Sequence, residues 1–329
     1  MTTATTRGDT PPRPRFDFGA FLQRYGTICI FLVLFIAASI ASEPFHSYLN
    51  IMKVLRQVAA DTGIMAVGML FVILTRGIDL SVGSIAAVGS VLMGVLIARQ
   101  GYGLPVAIVL VLLAGAGLGL ITGVMVAYLR LPSFVMSLAM MAIGRGLALN
   151  LSSGQPIPLG DAGETIGNFG LGFALGLPQP VILMFAVFVI AGFVLNFTRF
   201  GRIVKAIGSN EEAVRLSGIA VPRYVVAVYV ISGSLAALAG VIYVSRTVSG
   251  SATVGVGAEL NVIAAVVIGG ASLMGGRGGV FNTLLGALVM GMINNIMNLT
   301  GVPGYNQQIY MGVIIVFAML LQYGASWRR

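Results

Sequence analysis

Few side chains in this sequence could do chemistry, and their spacing does not suit catalysis. His46 is the single histidine and stands alone beside Pro44 and Phe45. With no second histidine it offers neither a metal site nor a triad. Cys29 is the single cysteine and lies in an apolar run, so no disulfide can form within the chain. No G-x-x-x-x-G-K-[ST] loop occurs, so the chain lacks that device for holding ATP. Carboxylates paired with enzymatic spacing are absent too. The remaining polar groups suit binding and contact better than bond-making.

Three amides, Asn294, Asn295 and Asn298, interrupt one apolar run. Asn294 and Asn298 share a helical face, with Asn295 one step round. An amide in a lipid-buried helix is costly unless it finds a partner. Two readings stay open: hydrogen bonds to a neighbouring helix, or the lining of a wet path for a hydroxyl-rich solute. An amide offers both donor and acceptor to a sugar hydroxyl. Between two other apolar runs, Arg76 and Asp79 in ILTRGIDLSVGSIAAVG (73–89) are close enough to pair, and Asp79 can cap the following helix. Either they make a capped turn at the membrane surface or they belong to a transport gate. Asp61 and Glu259 fall near the ends of apolar runs, which argues against a buried proton relay.

The long charged stretch is Thr198–Arg223, TRFGRIVKAIGSNEEAVRLSGIAVPR, flanked by apolar runs on both sides. Ser209 and Glu212 have the S-x-x-E spacing of a capping box. Glu211 and Glu212 then fall in the first turn, where the helix dipole favours negative charge. Gly218 can take the left-handed stop after Ser217. The expected element is a helix of about eight residues, Asn210–Ser217, roughly 12 Å long. It is too short to stand alone in water and too polar for lipid. It needs something to pack on, and a separate soluble protein is the expected partner.

The elements that carry these residues are apolar. Hydrophobic residues make up 57% of the 329, and only 9% are charged. Soluble domains carry about 25% charged residues, so this is an integral membrane protein. The expected fold is all-α and polytopic, with about ten spans at 25–42, 58–75, 81–98, 104–129, 132–151, 179–197, 224–245, 260–275, 280–299 and 306–323. Residues 44–57 read as an interfacial helix leading into the second span. An N-terminal tail (1–24) and a short C-terminal tail (324–329) flank the membrane domain (25–323). With both termini cytoplasmic, 14 of the 19 Lys and Arg lie on that side, against Lys53, Arg56, Arg99, Arg145 and Arg246 on the other. The loop 198–223 is then cytoplasmic, and 152–179 and 246–259 lie on the far side. The formal charge of +9 forms no basic face beyond the membrane loops, so nucleic acid is not an expected partner. Gly115, Gly119 and Gly123 make one small-residue stripe, and Gly233, Ala237 and Val241 another, as close helix packing requires. The pattern yields no internal repeat.

ILTRGIDLSVGSIAAVG, GSNEEAVRLSGI (208–219) and VIGGASLMGGRGGVFNTLLGALVMGMINN (267–295) together resemble the permease subunits of ribose-type ABC sugar importers. The similarity runs over 25–323. The related branched-chain amino-acid permeases share the plan, and the GIDLS segment favours the sugar branch. Arg76 departs from the small residue expected at its position. The resemblance implies a bacterial inner-membrane protein paired with a second permease copy or a sister permease. It also implies an ATPase subunit inside, which binds ATP and Mg, and a soluble sugar-binding protein outside. The permease itself holds no cofactor or metal. The loop helix then serves as the coupling helix, with Ser209, Asn210, Glu211, Glu212, Ala213, Arg215 and Gly218 at the ATPase. Glu211, Glu212, Ala213 and Gly218 match the charged-Ala-Gly pattern of that loop. Asn294, Asn295, Asn298 and Asp79 are the candidates for the solute path. The alternatives are a branched-chain amino-acid permease, a stand-alone carrier driven by an ion gradient and, lower, a membrane enzyme. The identity of the solute is not fixed by the sequence.

Overall fold

The computed structural model describes residues 18–326. Of the expected tails, residues 1–17 and 327–329 lie outside this range, and the first helix, α1 (Phe18–Ala41), already begins within the expected N-terminal tail. A single 3-10 turn, Glu43–His46, leads to α2 (Tyr48–Val58), capped by Ser47, whose Oγ accepts from Asn50 N. No breaker follows. A π turn, Ala59–Gly63, joins α2 to α3 (Ile64–Leu74) in one 27-residue helix. The expected interfacial segment is therefore continuous with the helix of the second span, and the joined helix is long and apolar enough to cross a membrane.

The remaining helices are α4 (Val82–Gly94, prolonged by a π turn, Val95–Arg99), α5 (Leu104–Ala127), α6 (Ser133–Ser152) and α7 (Glu164–Leu171). After them come α8 (Gln179–Phe197), α9 (Arg199–Ser209), α10 (Glu211–Leu216) and α11 (Val221–Thr247). The last three are α12 (Ala258–Ile268), α13 (Val280–Leu299) and α14 (Gly304–Ser326). Two short antiparallel ladders, β1 (Ile157–Pro158) with β4 (Ser249–Gly250) and β2 (Phe173–Ala174) with β3 (Leu177–Pro178), trim the loops opposite α10.

All ten expected apolar runs fall on helices. Among the described residues seven helices are long and apolar enough to cross a membrane. The run expected at 260–275 gives only the eleven residues of α12. Its helix stops at Gly269 because Gly270 takes φ +80°, and a glycine-rich loop follows.

Helix 48–74, α4 and α11 form the core. The two small-residue stripes meet: Gly115, Gly119 and Gly123 of α5 lie on the backbone of α11, where a methyl group at Gly119 would stand 2.2 Å from Tyr229 O. Lipid gives helices no hydrophobic reason to associate, so contact this close supplies the packing energy instead.

The structure contains a repeat that the residue pattern does not disclose. α3 runs antiparallel to α11, with Gly68 against Ser232 and Asp61 near Arg246. α3 descends to the α10 side. Residues 75–81 then turn back inside the protein, and α4 climbs away alongside α6, from Gly144 beside Ser84 to Leu151 beside Arg99. α11 ends on the opposite side. Residues 248–257 likewise turn back inside, and α12 returns toward α10. The two broken spans meet at Gly83 and Gly255, where a Cβ on Gly83 would lie 2.2 Å from Gly255 O and one on Gly255 2.5 Å from Gly83 O. Non-helical backbone at this depth is tolerable because protein surrounds it.

Candidate functional site

Residues from 198 to 218 make a double-helix surface. Thr198 caps α9, its Oγ1 accepting from Gly201 N at 3.3 Å. Gly201, Val204, Ile207 and Gly208 form the buried side of α9. α10 spans six residues rather than about eight. Its cap is Asn210, whose Oδ1 accepts from Ala213 N at 3.0 Å. Ser209, the expected cap, still belongs to α9 and donates to Lys205 O at 3.0 Å. The extended backbone needed by a cap is reached one residue later, at Asn210 (φ −157°, ψ 94°). Glu212 does not reach back to the cap either. It takes Arg215 Nη2 on both oxygens at 2.8 and 2.6 Å. That carboxylate, first by hydrogen bond and then by charge, pushes the Arg215 guanidinium above its ordinary pKa. Gly218, at φ +78°, ends the turn as its left-handed conformation requires.

Val214 alone in α10 is buried, in a cluster with Ile207 and Val221. Glu211, Glu212, Ala213, Arg215 and Leu216 all face outward, Leu216 with 78% of its surface exposed. One anchor and an otherwise displayed surface suit a helix that docks onto another molecule.

Arg76 ties this surface to the core. It takes a left-handed backbone (φ +65°), and its Nε donates to Gly208 O at 2.8 Å and Met274 O at 3.0 Å, its Nη2 to Ser209 O at 3.0 Å. The expected Arg76–Asp79 pair does not form, because the guanidinium is spent on backbone carbonyls at the end of α9 and in the loop after α12. Asp79 is buried deeper, accepting from Ser81 N at 3.0 Å and from Ser232 Oγ at 2.7 Å. It steadies the start of α4, two residues ahead of the cap position, and lies on the wall of neither cavity described here. A polar hollow of about 970 Å³ opens between this junction and α10, walled by Arg76, Arg130, Ser133, Glu211, Glu212 and Tyr229.

A second cavity, about 340 Å³, lies across the molecule from α10. Its walls carry Gln57, Asp61, Asn261, Asn294, Asn298 and Gln307, with Met65, Ala86, Val254 and Gly255. Asn294 and Asn298 are thus brought together. Asn295 points the other way and exchanges two 2.9 Å amide hydrogen bonds with Asn50 of α2. Among the described residues no group of acidic, histidine and cysteine side chains is placed to hold a metal ion.

The family described as branched-chain amino acid transport system / permease component matches residues 50–319. The chain belongs to this permease family. Over 323 residues it is 42% identical to the ribose import permease protein RbsC of Escherichia coli strain K12, covering 98% of each chain. It is 43% identical to RbsC of Bacillus subtilis strain 168, over 93% of this chain and 95% of that one. The L-arabinose transport system permease protein AraH of Escherichia coli K12 is 38% identical, over 97% of this chain and 96% of the relative. No solved structure matches.

Within this permease, the polar wall residues Gln57, Tyr243, Thr253, Asn261 and Gln307 escape a reading by residue pattern, and Asp61 is read without its cavity. The expected span begins at 58, which puts Asp61 near its end. The helix starts at Tyr48, so Asp61 lies mid-helix, level with Arg246 in the last turn of α11. Glu259 lies in the first turn of α12, beside Gly83 where the two broken spans cross. A polar residue inside an apolar run is the signal that could have found Asp61 and Asn261.

Proposed function

We propose that this chain is the membrane-spanning subunit of an ABC importer for a sugar of the pentose class. The observation that carries the proposal is its 37–43% identity, over almost its whole length, to permeases named for ribose and L-arabinose. The exposed face of α10 is the coupling surface, through which an ATPase subunit holding ATP and Mg moves the spans. Arg76 and the buried Asp79 link that surface to the broken spans. A soluble binding protein delivers sugar to the cavity opposite α10, where Asn294 and Asn298 offer amides to hydroxyl groups. A second permease, identical or sister, completes the core. The protein sits in the bacterial inner membrane with about ten spans and both termini inside; the excess of Lys and Arg on the α10 side supports that orientation.

The family's description keeps branched-chain amino acids as a second reading. The polar cavity wall speaks for hydroxyl-rich solutes over aliphatic ones. Asp61, a carboxylate on the cavity wall, is the feature that supports a stand-alone carrier. Proteoliposomes decide between these readings. Uptake of D-ribose or L-arabinose is expected only with the ATPase subunit, the binding protein and ATP present. Uptake by the chain alone under a proton or sodium gradient overturns the proposal.

A further inference from the structure

The cavity opposite α10 holds one group that a passive passage does not need. Asp61 stands on the π turn Ala59–Gly63, a distortion that recurs at functional positions. Its carboxylate is on the cavity wall, as is Gln57, with Arg246 Nη1 3.8 Å from Oδ1. Asn261 and Asn294 share that wall and, among the described residues, their amides have no hydrogen-bond partner within the chain. Asn298 receives Gln307 Nε2 on its Oδ1 at 2.9 Å, which fixes the orientation of its amide. These groups leave hydrogen-bonding capacity free at the cavity wall, which a polar ligand or water can take up.

These groups fit one ligand chemistry. A carboxylate only accepts and can take two neighbouring hydroxyl protons at once. The amides beside it both donate and accept, as hydroxyl oxygens further round a ring require. Met65 and Ala86 supply an apolar patch for a sugar's C–H face. A ligand bearing its own carboxylate is opposed by Asp61. We propose that this cavity is a sugar-recognition subsite within the permease itself, with Asp61 as its specificity-determining residue. The binding protein is then not the sole filter. The inference rests on the sugar-importer reading above.

The test uses the complete transporter in proteoliposomes, with D-ribose and L-arabinose as probes. Asp61→Asn keeps the shape and removes the charge. Its expected effect is a fall of about tenfold in sugar carried per ATP hydrolysed, with ATP hydrolysis and assembly retained and the ribose-to-arabinose ratio shifted. Arg246→Gln, which breaks the ion pair but leaves the carboxylate, is expected to keep most uptake. Wild-type behaviour of Asp61→Asn overturns the subsite. An equal loss in Arg246→Gln overturns it too, because a structural tie then explains the residue. Absence of ATP-driven uptake in the wild type overturns the importer reading and the subsite with it.

Discussion

The two re-entrant segments have matching geometry and opposite chemistry. The first, 75–81, carries its own anchor. Asp79 turns inward and is hydrogen-bonded by Ser81 and by Ser232 of the opposite repeat. The second, 248–257, has no charged side chain. It is held from outside, by Arg145 of α6, whose Nη1 donates to Ala252 O and, at 2.8 Å, to Val254 O. Asp79 lies on neither cavity wall, while Thr75, Arg76 and Gly77 of the first segment border the hollow beside α10. The second contributes Thr253, Val254 and Gly255 to the wall of the cavity opposite α10. One segment is thus a fixed pin and the other a wall that a single cation holds in place. An inverted repeat need not conserve its chemistry, only the backbone path.

The hardest test of this contrast is the crossing itself. Gly83→Val places side-chain carbon where Gly255 O already stands, 2.2 Å from an ideal Cβ. Overpacking against backbone costs about 1–3 kcal/mol or more, so little folded transporter and no uptake are expected, read by size-exclusion yield and proteoliposome flux. Normal yield and flux would show that the two segments do not cross there.

Next come the anchors. Asp79→Ala leaves the Ser232 hydroxyl without its buried partner, at a cost of about 1–3 kcal/mol, visible as a lower melting temperature in detergent. Arg145→Gln is expected to lower that temperature less and to cut uptake more, because the freed loop faces the cavity. Equal thermal losses in the two variants would erase the distinction between pin and wall.

How much of this was legible beforehand follows from what each residue's neighbours are. The helices, the glycine stripes and the loop before Gly218 are local patterns, and they appear where period and capping place them. The cap itself moved from Ser209 to Asn210 because α9 extends through Ser209, and no local rule states where one helix yields to the next. The repeat stayed hidden because its halves share a path rather than residues: DLSVG in one matches ATVG in the other only at Val-Gly. Asn295 and Asn294 are adjacent and indistinguishable by type, yet one faces Asn50 and the other the cavity.

The smallest predicted effect separates those two. Asn295→Ala removes the paired amide bonds to Asn50 and should cost about 0.6–1.7 kcal/mol of stability with sugar preference intact. Asn294→Ala should leave the melting temperature alone and change sugar preference. A reversed pattern would reassign the path.

The central claim is that a partner ATPase moves this permease through α10, and Leu216 gives the most direct measurement. Its side chain is 78% exposed, so Leu216→Asp should not disturb the fold. With the variant, co-purification of the ATPase subunit and ATP-driven uptake should both be lost while the melting temperature of the permease stays unchanged. If the complex and the uptake survive intact, α10 is not where the two proteins meet.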